Sequence, residues 1–414
     1  MKKTLLTVCL VWMCFSLSAQ KIIDLSGKWS FSIDRQDNGE KEKWFNHTLN
    51  DCIHLPGSMP EKLKGDEVTA KTRWTGSLYD SSYYYNPYME KYRKEGNIKF
   101  PFFLTPDKHY VGVAWYQKEV NVPADWKGER ILLFLERPHI ETTVWVNGQK
   151  AGMQNSLCVP HQYDITRYVR PGKCTITIRV DNRIKEINVG PDSHSITDQT
   201  QGNWNGIVGR ICLQTTPKTY FDDIQIYPEP EQKQARVKVV IKGAGTAKVK
   251  LSAESFNTDK KHIVPAIQQE IKLNKGVTET EIVLPMGNDM LLWDEFHPAL
   301  YKLKAEVTNG KKTEIKEIQF GMRRFEIKGK WFYVNGRKTQ LRGTVENCDF
   351  PLTGYAPMDV ESWERVFRIC RSYGLNHMRF HSFCPPEAAF MAADRVGFYL
   401  QPEGPSWPNH GPKL

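Results

Sequence analysis

TQLRGTVENCDFPLTGYAPMDVESWERVFRICRSYGLNHMRFHSFCPPEAAFMAADRVGFYLQPEGPSW, residues 339–407, decides the reading of this 414-residue chain. QLRGT, LNHMRF and FYLQ are short apolar runs bounded by Gly, Pro or charge, which predicts strands. Between the first two, Val360, Trp363, Val366, Phe367 and Cys370 recur at three- and four-residue spacing, and PPEAAFMAADRVG supplies a second helical run. Strands joined by helical crossovers must run parallel. On this reading Arg342, then Arg379 with His381, then Glu403 close the C-terminal ends of the three strands, the face where (β/α)8 barrels build their sites. A whole barrel takes about 250 residues, so residues 320–414 are expected to hold only its first two to three βα units.

Upstream of that stretch, RRFEIKGKWFYVNGRKTQLRG reads as a linker and hairpin turning at Asn335-Gly336. Residues 221–319 contain FDDIQIYPEP, RVKVVIKG, AKVKLSAES, TETEIVLP and YKLKAEVTNG, five alternating strands that predict a smaller β-sandwich of immunoglobulin type. Residues 20–220 read as a larger all-β sandwich, with WSFSI, ERILLFL, ETTVWVNGQKAG and CTITIRVDN as strands and Asn147-Gly148 as a hairpin turn. Between Trp74 and Tyr110 lies an insert dense in aromatics, among them Tyr79, Tyr83, Tyr84, Tyr85, Tyr88, Phe102 and Phe103. Such rings can stack on sugars, but a long loop pinned by its own buried aromatics is the better expectation.

Residues 1–19 place Lys2 and Lys3 before an apolar run and end in Ser18 and Ala19, the order of a cleaved secretory signal peptide that leaves Gln20 first. A secreted or periplasmic protein with no stable membrane insertion is expected, because the apolar run is shorter than the ~20 residues a span requires. Loss of the signal takes the formal charge from +10 to +8 and leaves seven cysteines, an odd number without zinc spacing. The basic residues are spread along strand-like segments, which favours solvated strand faces over a nucleic-acid groove. Oligomeric state is not legible.

VAWYQKEVNVPADWKGERILLFLERPHIETTVWVNGQKAG with YDITRYVRPG and TITIRVDN, then NGIVGRICL, then RRFEIKGKWFYVNGRKTQLRG, resemble in that order the β-galactosidase, β-glucuronidase and β-mannosidase group of glycoside hydrolase family 2. The resemblance implies a sugar-binding jelly roll, an immunoglobulin-like domain and a catalytic barrel, acting on an oligosaccharide or glycoside by a retaining mechanism with two carboxyl groups ~5 Å apart. It places both glutamates on later barrel strands, beyond Leu414. The catalytic set is therefore expected to be absent, and the 414 residues inactive alone. A β-galactosidase-like exo-glycosidase is the expected activity; a non-catalytic carbohydrate-binding protein of two sandwiches is the alternative.

The resemblance also offers substrate-binding candidates. Arg342 matches the Arg-Gly at the first strand, with a structural and a substrate role both open. Glu346 and Asn347 stand where relatives carry Asn-x-His-Glu. Arg379 and His381 stand where relatives carry Arg-x-Ser-His, with the imidazole displaced by one. Glu403 stands where some relatives bind Mg²⁺, but no cofactor is expected here, because one carboxylate beside an Arg is a poor Mg²⁺ site. Asp198 lies on a loop that similar proteins send into the barrel mouth. Trp204 on the same loop and Trp407 can stack on a sugar or pack between domains.

Overall fold

A computed structural model describes residues 21–69, 72, 73, 75, 85–97, 106–186, 193–197 and 202–405. The signal segment, Asp198, Trp407 and, within the aromatic insert, Tyr79, Tyr83, Tyr84, Phe102 and Phe103 lie outside them. The described residues are mostly β, with two α-helices and three separate large hydrophobic cores. No described helix is long and apolar enough to cross a membrane.

The first core lies between two antiparallel sheets. One orders strands Ile22–Asp24, Gly206–Thr216, Arg130–His139 and His161–Asp164. The other orders Gln149–Asn155, Glu141–Val146, Gly172–Asp181, Val113–Val122, Gly27–Asp34 and Asp51–Leu55. Alternation does the sorting: Ile176, Ile178 and Val180 of one sheet face Leu133, Leu135 and Ile211 of the other. Asn147 adopts φ 49° at the two-residue turn between Glu141–Val146 and Gln149–Asn155, as an Asn-Gly hairpin requires. Tyr85 and Tyr88 of the insert are exposed, so these two rings do not pin it as expected.

The second core shows a difference from the sequence reading. RVKVVIKG and AKVKLSAES are one strand, Gln234–Phe256, paired along its length with Ile263–Pro285. The long pair shifts register between Gly243 and Gly245, the latter at φ 85°, so its first half pairs with Tyr220–Glu229 and its second with Leu300–Asn309. The two glycines, between the two strands that the sequence predicts, are instead an irregularity within one continuous strand. The basic residues here pair across strands at the surface, Arg236 with Glu281 at 2.6 Å and Lys238 with Glu279 at 2.7 Å.

The third unit is a parallel sheet in the order Gly343–Glu346, His377–Phe380, Tyr399–Pro402, crossed by helices Val360–Ser372 and Glu387–Val396. Asp359 caps the first helix, its carboxylate accepting the Ser362 amide at 2.8 Å. Trp363 and Phe367 on that helix meet Phe380 and Phe398 of the sheet layer. Met378 and Phe380 thus face the helices, and Arg379 faces the side of the sheet away from them.

The first unit is tied onto the third. Arg210 bridges Glu136 at 2.9 Å and Glu387 at 3.0 Å, and Arg137 donates to the Cys384 carbonyl at 3.3 Å. Gly209, at φ 74°, makes this approach possible: a Cβ there would lie 2.7 Å from Met358 Cε and 2.8 Å from Glu136 Oε2. Gly209→Ala is expected to lower unfolding free energy by about 1–3 kcal/mol through left-handed strain and displacement of Glu136, measurable by urea melts.

Candidate functional site

The strand ends carry the site, but their register differs from the sequence reading at Arg342. The first parallel strand begins at Gly343, after Arg342, which therefore sits at the N-terminal end of the sheet. Its guanidinium is used there, donating to the Gly374 carbonyl at 2.7 Å and the Gln340 carbonyl at 3.3 Å, while its amide donates to Asn376 at 2.7 Å. Arg342 is a backbone clamp, remote from the C-terminal face. QLRG was read as strand because apolar Leu341 precedes the Arg-Gly, whereas pairing starts only where Gly343 lies against His377.

Three candidates do come together. Arg379, one residue before the end of His377–Phe380, bonds through Nε to Glu403, the residue following Tyr399–Pro402. The second Glu403 oxygen accepts the Ser382 amide at 3.0 Å. Partial burial works against the carboxylate charge, but Arg379, the Ser382 amide and nearby His381 together hold its pKa below the usual glutamate range. Both oxygens are thus engaged, and the described residues contain no group of three His, Cys, Asp or Glu able to hold a metal ion. This arrangement does not fit Mg²⁺.

His381 is held from two sides. Its amide donates to the Glu346 carbonyl at 2.9 Å, and its Nδ1 lies 3.0 Å from Nε2 of His194. His194 belongs to residues 193–197, a segment of the first unit that crosses to the parallel sheet. The segment is held there by the His194 amide donating to Ser382 Oγ and by Ser195 Oγ donating to the Ser382 carbonyl, both at 3.0 Å. It ends one residue before Asp198. His194, Ser195 and Ser382 were missed in the sequence; the run Ser193-His194-Ser195, just ahead of Asp198, was the available signal.

Glu346 and Asn347 sit at the C-terminal end of the first parallel strand, and Glu346 is engaged locally. One carboxylate oxygen of Glu346 accepts the Cys348 amide at 2.6 Å and the Asp349 amide at 3.3 Å, closing its own turn. Burial pushes its pKa up. Asn347 is half-buried, and its Oδ1 has no hydrogen-bond partner among the described residues.

Trp204 resolves as packing. It is 2% exposed, stacked on His139 at 4.5 Å between centroids and tilted against Tyr355 at 5.6 Å. Tyr355 donates to Glu61 at 3.0 Å, and His139 lies 3.1 Å from Asn203 Oδ1. A ring sandwiched in this way has no face left for a sugar. Burial first, and then the Arg137 charge, push the His139 pKa down to about 3. Folding therefore holds His139 neutral, whereas the unfolded chain takes up a proton near pH 6.5. Its contribution is complete above that pH and is lost progressively as pH falls toward 3. His139→Gln should reduce the acid-side slope of unfolding free energy between pH 6 and 4 by about 1.4 kcal/mol per unit, as read from melts over that range.

A groove of 560 Å³ lies along the third strand and is lined in part by Trp293, Phe325, Phe332, His377, Tyr399 and Gln401. Its lining includes neither Arg379, His381 nor Glu403, and the polar cluster remains the better candidate for chemistry.

Comparison with known proteins follows the same division. Residues 22–217 match the family model described as glycosyl hydrolases family 2, sugar binding domain, and residues 219–323 match that of glycosyl hydrolases family 2. The chain is 25% identical to a β-galactosidase of Thermoanaerobacter pseudethanolicus over 334 residues, 76% of this chain and 42% of that protein. It is 24% identical to a β-glucuronidase of Paenibacillus borealis over 407 residues, 94% of this chain and 59% of that protein. The solved β-glucuronidase of Ruminococcus gnavus shares the fold, with TM-score 0.68 and 20% identity over 93% of this chain and 59% of that one. The chain thus spans between 42% and 59% of the length of these relatives.

Proposed function

Because the chain belongs to glycosyl hydrolases family 2, we propose that it is the sugar-binding and rim-forming part of an exported, retaining exo-β-glycosidase. The parallel sheet is the start of a (β/α)8 barrel, and residues 1–19 direct export. The observation that carries this reading is the meeting of residues 193–197 with His381, Ser382 and the Arg379–Glu403 pair. A sandwich unit delivers polar groups to the C-terminal ends of parallel strands, where barrels bind substrates.

The described groups suit binding better than bond cleavage. Retaining hydrolysis needs a carboxylic acid to protonate the leaving oxygen and a carboxylate to attack the anomeric carbon. Glu403 is held ionised by Arg379, and Glu346 is committed to its own turn. Arg379 and His381 can donate to sugar hydroxyls, as the remaining strands would supply the carboxyl pair. Relatives named for β-galactosidase and β-glucuronidase activity favour a β-linked hexose or uronic acid as the glycone, with a β-galactoside the first choice. The test is a panel of nitrophenyl β-galactoside, β-glucuronide and β-mannoside offered to a chain carrying the complete barrel. One dominant substrate supports the reading; no turnover of any of them refutes it.

A further inference from the structure

Ser382 is fully buried and stands in the left-handed region at φ 50°. That conformation is strained for a non-glycine residue, and it persists only where the surroundings over-determine it. Here they do. The Ser382 amide donates to Glu403, its Oγ accepts from the His194 amide, and its carbonyl accepts from Ser195 Oγ, each at 3.0 Å. One residue thus joins three elements: the end of the second parallel strand, the end of the third through Glu403, and the segment from the first unit.

We propose that Ser382 is a positioning residue, through which residues 193–197 fix the Glu403 carboxylate and, with it, the Arg379 guanidinium at the sugar rim. The assignment of that rim rests on the function proposed above. The mechanism is geometric. Freeing the backbone at Ser382 lets its amide swing away from Glu403, and Glu403 alone then has to orient Arg379. The coupling must also run backwards, because linkage between two contacts on one residue is reciprocal.

Backbone amide exchange in the 414-residue chain, read residue by residue by NMR, tests this without requiring turnover. Ser195→Ala removes a donor on the sandwich side and should speed exchange of the Ser382 amide about tenfold, the scale of one lost hydrogen bond. Glu403→Gln weakens the acceptor on the barrel side and should speed exchange of the His194 amide by a similar factor. Amides of strand Gly172–Asp181 should not change in either variant, whereas the Arg379 Nε–H resonance, bonded to Glu403, should shift in Ser195→Ala, a spectroscopic change that a purely local structural role would not produce. Ser382→Gly relieves the backbone strain but deletes Oγ, and it too should loosen the His194 amide. The proposal is overturned if each substitution acts only on its own side of Ser382, or if Ser382→Gly leaves both amides protected. Loss of coupling would leave the glycosidase reading standing, while an inactive full barrel with coupling intact would remove that reading alone.

Discussion

Purified residues 1–414 are expected to release nitrophenol from aryl β-glycosides no faster than buffer, whereas a chain with the complete barrel exceeds that rate by a factor of about 10⁶ or more. On the proposed reading, the size of the difference follows from a carboxyl pair carried by later strands. Hydrogen-bond donors such as Arg379 and His381 can orient a sugar, but positioning without a nucleophile and an acid opens no route through a glycosyl intermediate. The charged state of Glu403 matters here. Its Arg379 and Ser382 contacts stabilise the carboxylate, so its proton is unavailable to a leaving group near neutral pH. On the proposed reading, closing a barrel would also pair the edges of strands Gly343–Glu346 and Tyr399–Pro402, which bond to no further strand among the described residues. Steady turnover by residues 1–414, lost in Glu403→Gln, would place the chemistry on these strands instead.

Trp204→Ala should cost about 3–5 kcal/mol of unfolding free energy, the range for deleting a large buried aromatic. The side chain fills the contact between His139 of the first unit and Tyr355 of the loop after the first parallel strand, so its loss opens a cavity where the two units meet. Trp204→Phe keeps much of that packing and should cost about half as much. Urea melts of the three proteins measure this ordering. A Trp204→Ala protein as stable as wild type but weakened in binding a glycoside would instead return the ring to the sugar site.

Much of the architecture was legible because period and punctuation agree locally. The helix carrying Trp363 and Phe367 follows its apolar spacing, and the turns at Asn147 and Asn335 follow from residues that tolerate positive φ. Arg379, His381 and Glu403 were found together because parallel strands place their ends on one face. The errors came where tertiary contact overrides local pattern. Gly243 and Gly245 mark a bend within a strand or a loop equally well until the partner strand is known. Arg342 has the residue type of a ligand, yet carbonyls of Gly374 and Gln340 claim it. Trp204 was open between stacking and packing, a choice that depends on His139 and Tyr355, distant in sequence by 65 and 151 residues. The exchanged His381-Ser382 order was visible in the sequence, but not the role of Ser382, which lies in a backbone angle and three partners on other segments.

The central claim is that these residues bind and position the sugar, while the cleaving carboxyl pair lies on barrel strands beyond them. Mechanism-based trapping tests it most directly. A 2-deoxy-2-fluoro-β-glycosyl fluoride of the preferred sugar slows hydrolysis of a retaining enzyme's glycosyl intermediate, and peptide mass spectrometry then locates the ester. On a chain with the complete barrel, the account predicts one adduct, on a glutamate beyond Leu414, and none on residues 1–414 alone. An adduct on Glu346, Glu387 or Glu403 would contradict it.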